Sequence, residues 1–195
     1  MTDYISAIVE ESLRVKRCFF DAHAGKIQDA AAMIAEAFRA NGKLLVFGNG
    51  GSAADAQHIA GELVNRFLQQ RHGLPAIALT TDGGALTCIA NDTGFENVFA
   101  RQIESLGAKG DVCLAISTSG TSPNIVRACE QARELGIKVI GLLGCGGGRV
   151  APLCDLALIV PSNDTQRIQE THNLIGHILC ELIESEIFPL QNRER

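Results

Sequence analysis

Residues 43–58, KLLVFGNGGSAADAQH, decide the fold. Residues 43–47 make a short apolar run that stops at Gly48, Asn49, Gly50, Gly51 and Ser52, and a helical pattern begins straight after. A run this short, bounded by glycine, suits a strand buried on both faces of a parallel sheet. Strand, tight turn and helix in succession make one βα step.

The same texture recurs downstream. AIALT at 76–80, VCLAIS at 112–117, KVIGLL at 138–143 and LALIV at 156–160 read as further buried strands. The segments 52–67, 95–106 and 123–135 read as crossover helices, giving a βαβ series with helices on both sides. Upstream, Ile5, Ile8, Val9, Leu13, Val15 and Phe19 predict one helix and Ile27 to Phe38 a second, while 164–187 predicts a last helix. The fold class is therefore α/β, a three-layer sandwich with a five-stranded parallel sheet between helices. At 195 residues the chain fits one domain, 1–195, with its sheet core at about 43–160 and flanking helices at 3–41 and 164–188. Leu174, Ile175, Ile178, Leu179, Leu182, Ile183 and Ile187 cover more than a narrow helical stripe. Two explanations stand: contact with another subunit, or simple cover for the sheet.

A formal net charge of -5 argues against nucleic acid or an anionic membrane as partner, since both need a basic face. An anionic small ligand must then be held by local dipoles. The amino-terminal residues lack a basic stretch followed by an apolar block, and no uncharged apolar run approaches the about 20 residues that span a bilayer. The seven cysteines form no C-x-x-C pair and read as small core residues, which fits a reducing cytoplasm.

Three groups of residues carry chemistry. The first is the glycine turn Asn49, Gly50, Gly51, Ser52, where backbone can approach a ligand at a helix N-terminus. It fails the dinucleotide spacing, because Ala53 stands at the third glycine, and a plain turn with Ser52 as helix cap explains it equally. The second is ISTSGTSPN, in which Ser117, Thr118, Ser119, Gly120, Thr121 and Ser122 precede Pro123. One serine suffices to cap a helix, so a cluster of hydroxyls points to a phosphate cradle. The third lies on two helices: His58 and Glu62 are one turn apart, and Gln169 and His177 fall about 80° apart around theirs. Such a set supplies an acid and a base, or two imidazoles and a carboxylate for zinc with the amide as a weak fourth ligand, or it is merely a solvated helix face.

GNGGSAADAQHIAGEL, IANDTGF, GDVCLAISTSGTSPN and RIQETHNLIGH, in that order and across almost the full chain, resemble the bacterial phosphoheptose isomerases of the sugar isomerase (SIS) superfamily. The resemblance implies conversion of sedoheptulose 7-phosphate to D-glycero-D-manno-heptose 7-phosphate for lipopolysaccharide core or related glycans. It implies a homotetramer with active sites at subunit interfaces and, in some members, one bound zinc. Carried over motif by motif, Glu62 is the general base and His177 its partner acid/base. His58, Glu62, Gln169 and His177 are the zinc ligands. Asn49, Gly50, Gly51, Ser52, Glu62, Asp92, Ser117, Thr118, Ser119, Ser122 and Gln169 contact the phosphorylated sugar. Gly61, Thr121 and the CGGGRV segment depart from the family pattern. The chain also resembles the DnaA initiator-associating (DiaA) proteins, non-catalytic tetrameric scaffolds of the same fold; Glu62 and His177 favour the enzyme. A sugar-phosphate sensor for transcriptional control would need a DNA-binding segment that this sequence does not contain.

Overall fold

A computed structural model describes residues 2–189. Met1 and residues 190–195 of the expected domain lie outside the described residues. Five parallel strands, β1 (Leu44–Gly48), β2 (Ala76–Ala78), β3 (Val112–Ser117), β4 (Lys138–Leu143) and β5 (Leu156–Ile159), form one sheet in the order β2-β1-β3-β4-β5. Every residue of β1 and β3 is buried, as expected of strands covered on both sides. Side chains alternate between the two layers. Leu44 and Val46 join one core cluster with α1 (Thr2–Arg39), α2 (Gly51–Val64) and α6 (Thr165–Ile187). Leu45 and Phe47 join another with α4 (Ala100–Leu106) and α5 (Pro123–Glu134), against which Leu86 and Ile89 of α3 (Gly83–Thr93) also pack.

The sheet reverses its direction of growth between β1 and β3. The chain leaves β1 outward to β2, then returns to lay β3 on the other side. Loops at the carboxyl ends of these two strands therefore diverge and leave a crevice, the usual ligand position in open α/β sheets. Both loops singled out in the sequence, 48–52 and 117–122, stand there.

Three expectations need correction. The opening residues form one 38-residue helix, not two. Gly25 lowers helix propensity by about 1 kcal/mol relative to alanine but removes no hydrogen bond. The buried stripe Val15, Phe19, Ile27, Ala30, Ile34 runs past it unbroken. Helix α3 was not foreseen, and 95–106 is not one helix but a 3-10 turn at Phe95–Asn97 followed by α4. No residue of α3 is fully buried, so it has no apolar stripe to read, and Gly83-Gly84 masks its start. Its signal was Asp82, whose carboxylate caps the helix by accepting from Ala85 N–H at 2.9 Å. The cysteines also divide: Cys113, Cys129 and Cys180 are buried, but Cys18, Cys88 and Cys145 are exposed rather than core residues. No described helix is long and apolar enough to cross a membrane.

Candidate active site

Helices α2 and α6 lie side by side and run in the same direction, so equivalent turns meet. A Cβ on Gly51 would overlap the Gln169 amide, which makes glycine the residue that lets α6 approach the first turn of α2. One turn on, Gln169 Nε2 donates to Asp55 Oδ2 at 3.3 Å. Further along, His58 Nε2 and His177 Nε2 stand 2.8 Å apart, with Glu62 Oε1 3.7 Å from the same His58 nitrogen. One imidazole must donate and the other accept, so the pair shares a proton position. His58 keeps 44 % of its side-chain surface exposed and Glu62 28 %, which leaves the cluster open to a ligand.

The structure thus brings His58, Glu62 and His177 together and holds Gln169 elsewhere. Eight residues advance α6 by about 12 Å, and the rise along the helix separates two groups that share a face. Donor types at the three-residue cluster suit zinc. No three His, Cys, Asp or Glu side chains among the described residues are already arranged around a common point. Two zinc ligands at about 2.05 Å in a tetrahedron lie about 3.3 Å apart, so these imidazoles would have to part by about half an ångström.

Sequence reasoning missed Asp55. It is buried on α2, and burial raises its carboxyl above the ordinary range while hydrogen bonds from Gln169 and Asn173 pull it down. The available signal was its spacing, three residues before His58 and seven before Glu62 on one helix face. A cavity of about 480 Å³ opens at Asp55, Gln169 and Asn173, bordered on the α1 side by Lys16.

At the loop ends, neither Ser52 nor Ser122 caps a helix through its hydroxyl. Gly50, not Ser52, is the N-cap of α2; Ser52 lies inside the first turn, buried. Ser122 is the N-cap of α5 by backbone only, and its hydroxyl makes no capping bond. Ser117 Oγ accepts from Gly120 N–H at 3.0 Å and Ser119 Oγ from Thr121 N–H at 3.3 Å, so these two shape the loop. Thr118 is half-buried between them. Gly120 sits at φ +64°, and a Cβ there would strike the backbone of Gly147; the 144–148 turn packs directly under the hydroxyl loop.

Asn49 does not point freely at a ligand. Its amide and that of Asn124 bond reciprocally, Nδ2 to Oδ1 at 2.9 Å and 2.7 Å, tying the two loops together. A cavity of about 810 Å³ opens beside this pair and Ser122. Asp92 is not brought to the cluster. It is exposed on α3, behind the opposite face of the sheet from α2 and α6, where it accepts from Asn91.

A five-stranded parallel sheet with hydroxyl and glycine loops at its reversal point, beside an acid/base cluster, defines an SIS-type phosphosugar protein, and the SIS domain family model matches residues 8–144. The chain is 59 % identical over 158 residues to a phosphoheptose isomerase of a Nitratiruptor species, covering 81 % of this chain and 84 % of that one. It is 50 % identical over 187 residues to the phosphoheptose isomerase of Aquifex aeolicus, covering 96 % and 98 %. The solved phosphoheptose isomerase GmhA from Neisseria gonorrhoeae superposes with a TM-score of 0.90 at 42 % identity, over 94 % of this chain and 98 % of that chain. The chain belongs to the phosphoheptose isomerase family.

Proposed function

We infer that this protein isomerises sedoheptulose 7-phosphate to D-glycero-D-manno-heptose 7-phosphate, supplying an aldose for heptose-containing glycans such as a lipopolysaccharide core. The observation that carries the chemistry is the convergence of Glu62, His58 and His177. A ketose becomes an aldose when a proton leaves C1, the electron pair forms an enediolate across C1 and C2, the hydroxyl proton passes from O1 to O2, and a proton returns at C2. Glu62 takes the C1 proton as base, and His177 returns one at C2 as acid. His58 lies between them, so the proton gained by Glu62 can pass through it to recharge His177. The hydroxyl loop of Ser117, Thr118, Ser119 and Ser122 holds the distant phosphate at the α5 N-terminus and fixes the open sugar chain over the cluster.

The cluster also offers a zinc site. His58, Glu62 and His177 would hold the ion, and Gln169 would join only by releasing Asp55. Bound there, zinc would act as a Lewis acid toward the sugar oxygen that becomes negative.

We propose that the working form is a cytoplasmic homotetramer with its sites at subunit interfaces. Exposed Tyr4, Ile5, Val9 and Leu13 on α1 support assembly, as do exposed Val64, Leu68 and Leu174. Exposed, unpaired Cys18, Cys88 and Cys145 suit a reducing compartment.

The test is incubation of the purified protein with sedoheptulose 7-phosphate, followed by NMR. Appearance of the aldose anomeric signals is expected. A folded protein that produces none would leave the scaffold reading in its place.

A further inference from the structure

A buried ion pair outside the acid/base cluster gathers backbone from both of its helices. Glu184, on α6 two turns beyond His177, is paired with Arg71 at 2.7 Å, and both side chains are 1 % exposed. The two carboxylate oxygens divide their donors. Oε2 accepts from Phe67 N–H at 3.0 Å and from Arg71 Nε; Oε1 accepts from Leu68 N–H at 2.8 Å and Gln69 N–H at 2.7 Å. Burial opposes the charge on Glu184, yet these four donors hold its carboxyl below the ordinary range. Arg71 in turn donates through Nη2 to the Glu62 carbonyl at 2.9 Å and through Nη1 to the Leu63 carbonyl at 2.8 Å. It thereby satisfies backbone at the end of α2, within the turn that carries the proposed base.

This network has one product that bears on chemistry. It pins Phe67 so that its ring lies along His177, with centroids 5.9 Å apart and planes 23° from parallel. His58 meets the same imidazole edge-on at 5.0 Å and 75°. His177 is therefore confined by an aromatic ring on one side and its proton-sharing partner on another. Offset aromatic contacts at this distance have a preferred orientation, so the ring position set by Glu184 is transmitted to the imidazole.

We propose that Phe67, Glu184 and Arg71 are positioning residues for His177: the buried pair fixes the 67–69 backbone, and Phe67 fixes the imidazole plane at the angle the proton transfer needs. The kinetic part rests on the isomerase reading; the structural part does not.

Two substitutions separate the links. Phe67→Leu keeps bulk and removes the ring. Glu184→Gln keeps shape, but its amide nitrogen must face two donors whichever way it turns, so either the Phe67 and Arg71 contacts or the Leu68 and Gln69 contacts are lost. Each variant is compared with wild type for melting temperature and assembly, for kcat and KM on sedoheptulose 7-phosphate, and for His177 ring-proton chemical shifts. Misplacement of a reacting group by about 1 Å costs up to about 100-fold in rate. In Phe67→Leu, kcat should fall about 10- to 100-fold with KM within about twofold, because the phosphate loop lies elsewhere. His177 ring protons should move downfield as the aromatic shielding disappears. Phe67→Tyr should retain both kcat and the shifted signals. Glu184→Gln, if it folds, should reproduce the Phe67→Leu pattern; if it does not fold, Phe67→Leu decides. A folded Phe67→Leu protein with unchanged kcat or unchanged His177 signals overturns the proposal. Should wild type fail to turn over sedoheptulose 7-phosphate, the chemical shifts alone decide the structural part, and the failure belongs to the functional reading.

Discussion

At the scale of single residues, Glu62 and His172 make opposite demands on their surroundings. Glu62 is half-exposed beside His58 and takes a proton only as a carboxylate. Glu62→Gln should leave folding and assembly intact and lower the isomerase rate by about 10²- to 10⁴-fold, the range for loss of a general base; turnover near wild type in the NMR assay would remove Glu62 from the reaction. His172 is fully buried on α6, with Nε2 3.1 Å from the Leu143 carbonyl and Nδ1 without a partner among the described residues. Burial pushes its pKa down to about 4, from 6.5. Between those values the unfolded chain binds a proton that the folded chain refuses. Stability therefore rises with pH through this window; it is complete above about 6.5 and falls by about 3 kcal/mol as pH drops toward 4. Urea titrations from pH 4 to 7 should show this slope in wild type and a flatter one in His172→Gln. Both histidines lie in RIQETHNLIGH, yet sequence spacing cannot tell them apart in burial. What separates them is that position 172 faces β4 and position 177 faces α2.

At the scale of elements, what the sequence makes legible follows what each element buries. Strands β1, β3 and β4 are apolar except for Ser117 and Lys138 at strand ends, and are readable to within a residue or so. Helix α3 buries nothing completely and was invisible. The site divides the same way. His58 and Glu62 are related by one helical turn and needed no tertiary knowledge. The meeting of Asp55 with Gln169, and of Asn49 with Asn124, depends on how two helices and two loops are placed after folding. The asparagine pair allows a test at this scale, because it joins the loop before α2 to the first turn of α5. Asn49→Ala and Asn124→Ala each break the same two hydrogen bonds. Their effects on substrate affinity should be non-additive in the double variant, with a coupling of about 0.5 to 3 kcal/mol; simple additivity would mean that the loops are held independently. Ser122→Ala separates binding from capping on the same element. Since Ser122 makes no capping bond, affinity for the ketose phosphate should fall by about 1.5 to 3 kcal/mol while the melting temperature stays within the error of measurement. A lowered melting temperature at unchanged affinity would return the loop to a plain helix start.

At the scale of the whole molecule, one helix outgrows the body it covers. Thirty-eight residues make α1 about 57 Å long. Its buried stripe begins only at Val15, while Tyr4, Ile5, Ile8, Val9 and Leu13 repeat at helical spacing on an exposed surface, Tyr4 at 72 % and Leu13 at 54 %. The sequence shows this surplus of apolar residues and the same surplus on α6. It cannot show that α6 spends nearly all of its share inside the subunit, leaving Leu174 exposed, whereas the first three turns of α1 spend none. An apolar ridge of this kind, unburied in one chain, marks a protein–protein contact. The cluster at His58 and His177 adds a second open surface, with Leu68 exposed next to Phe67, whose ring lies along His177. If both are covered in one assembly, association and activity are linked. Light scattering should give a mass four times that of the chain for wild type. Placing aspartate at Ile5, Val9 and Leu13 together should break the particle into smaller species without unfolding them, since none of the three contributes to the core, and the isomerase rate per chain should fall with the tetramer fraction. A wild-type protein that is monodisperse, monomeric and active would refute the assembly. A dissociated variant that kept full activity would instead show that each subunit carries a complete site of its own.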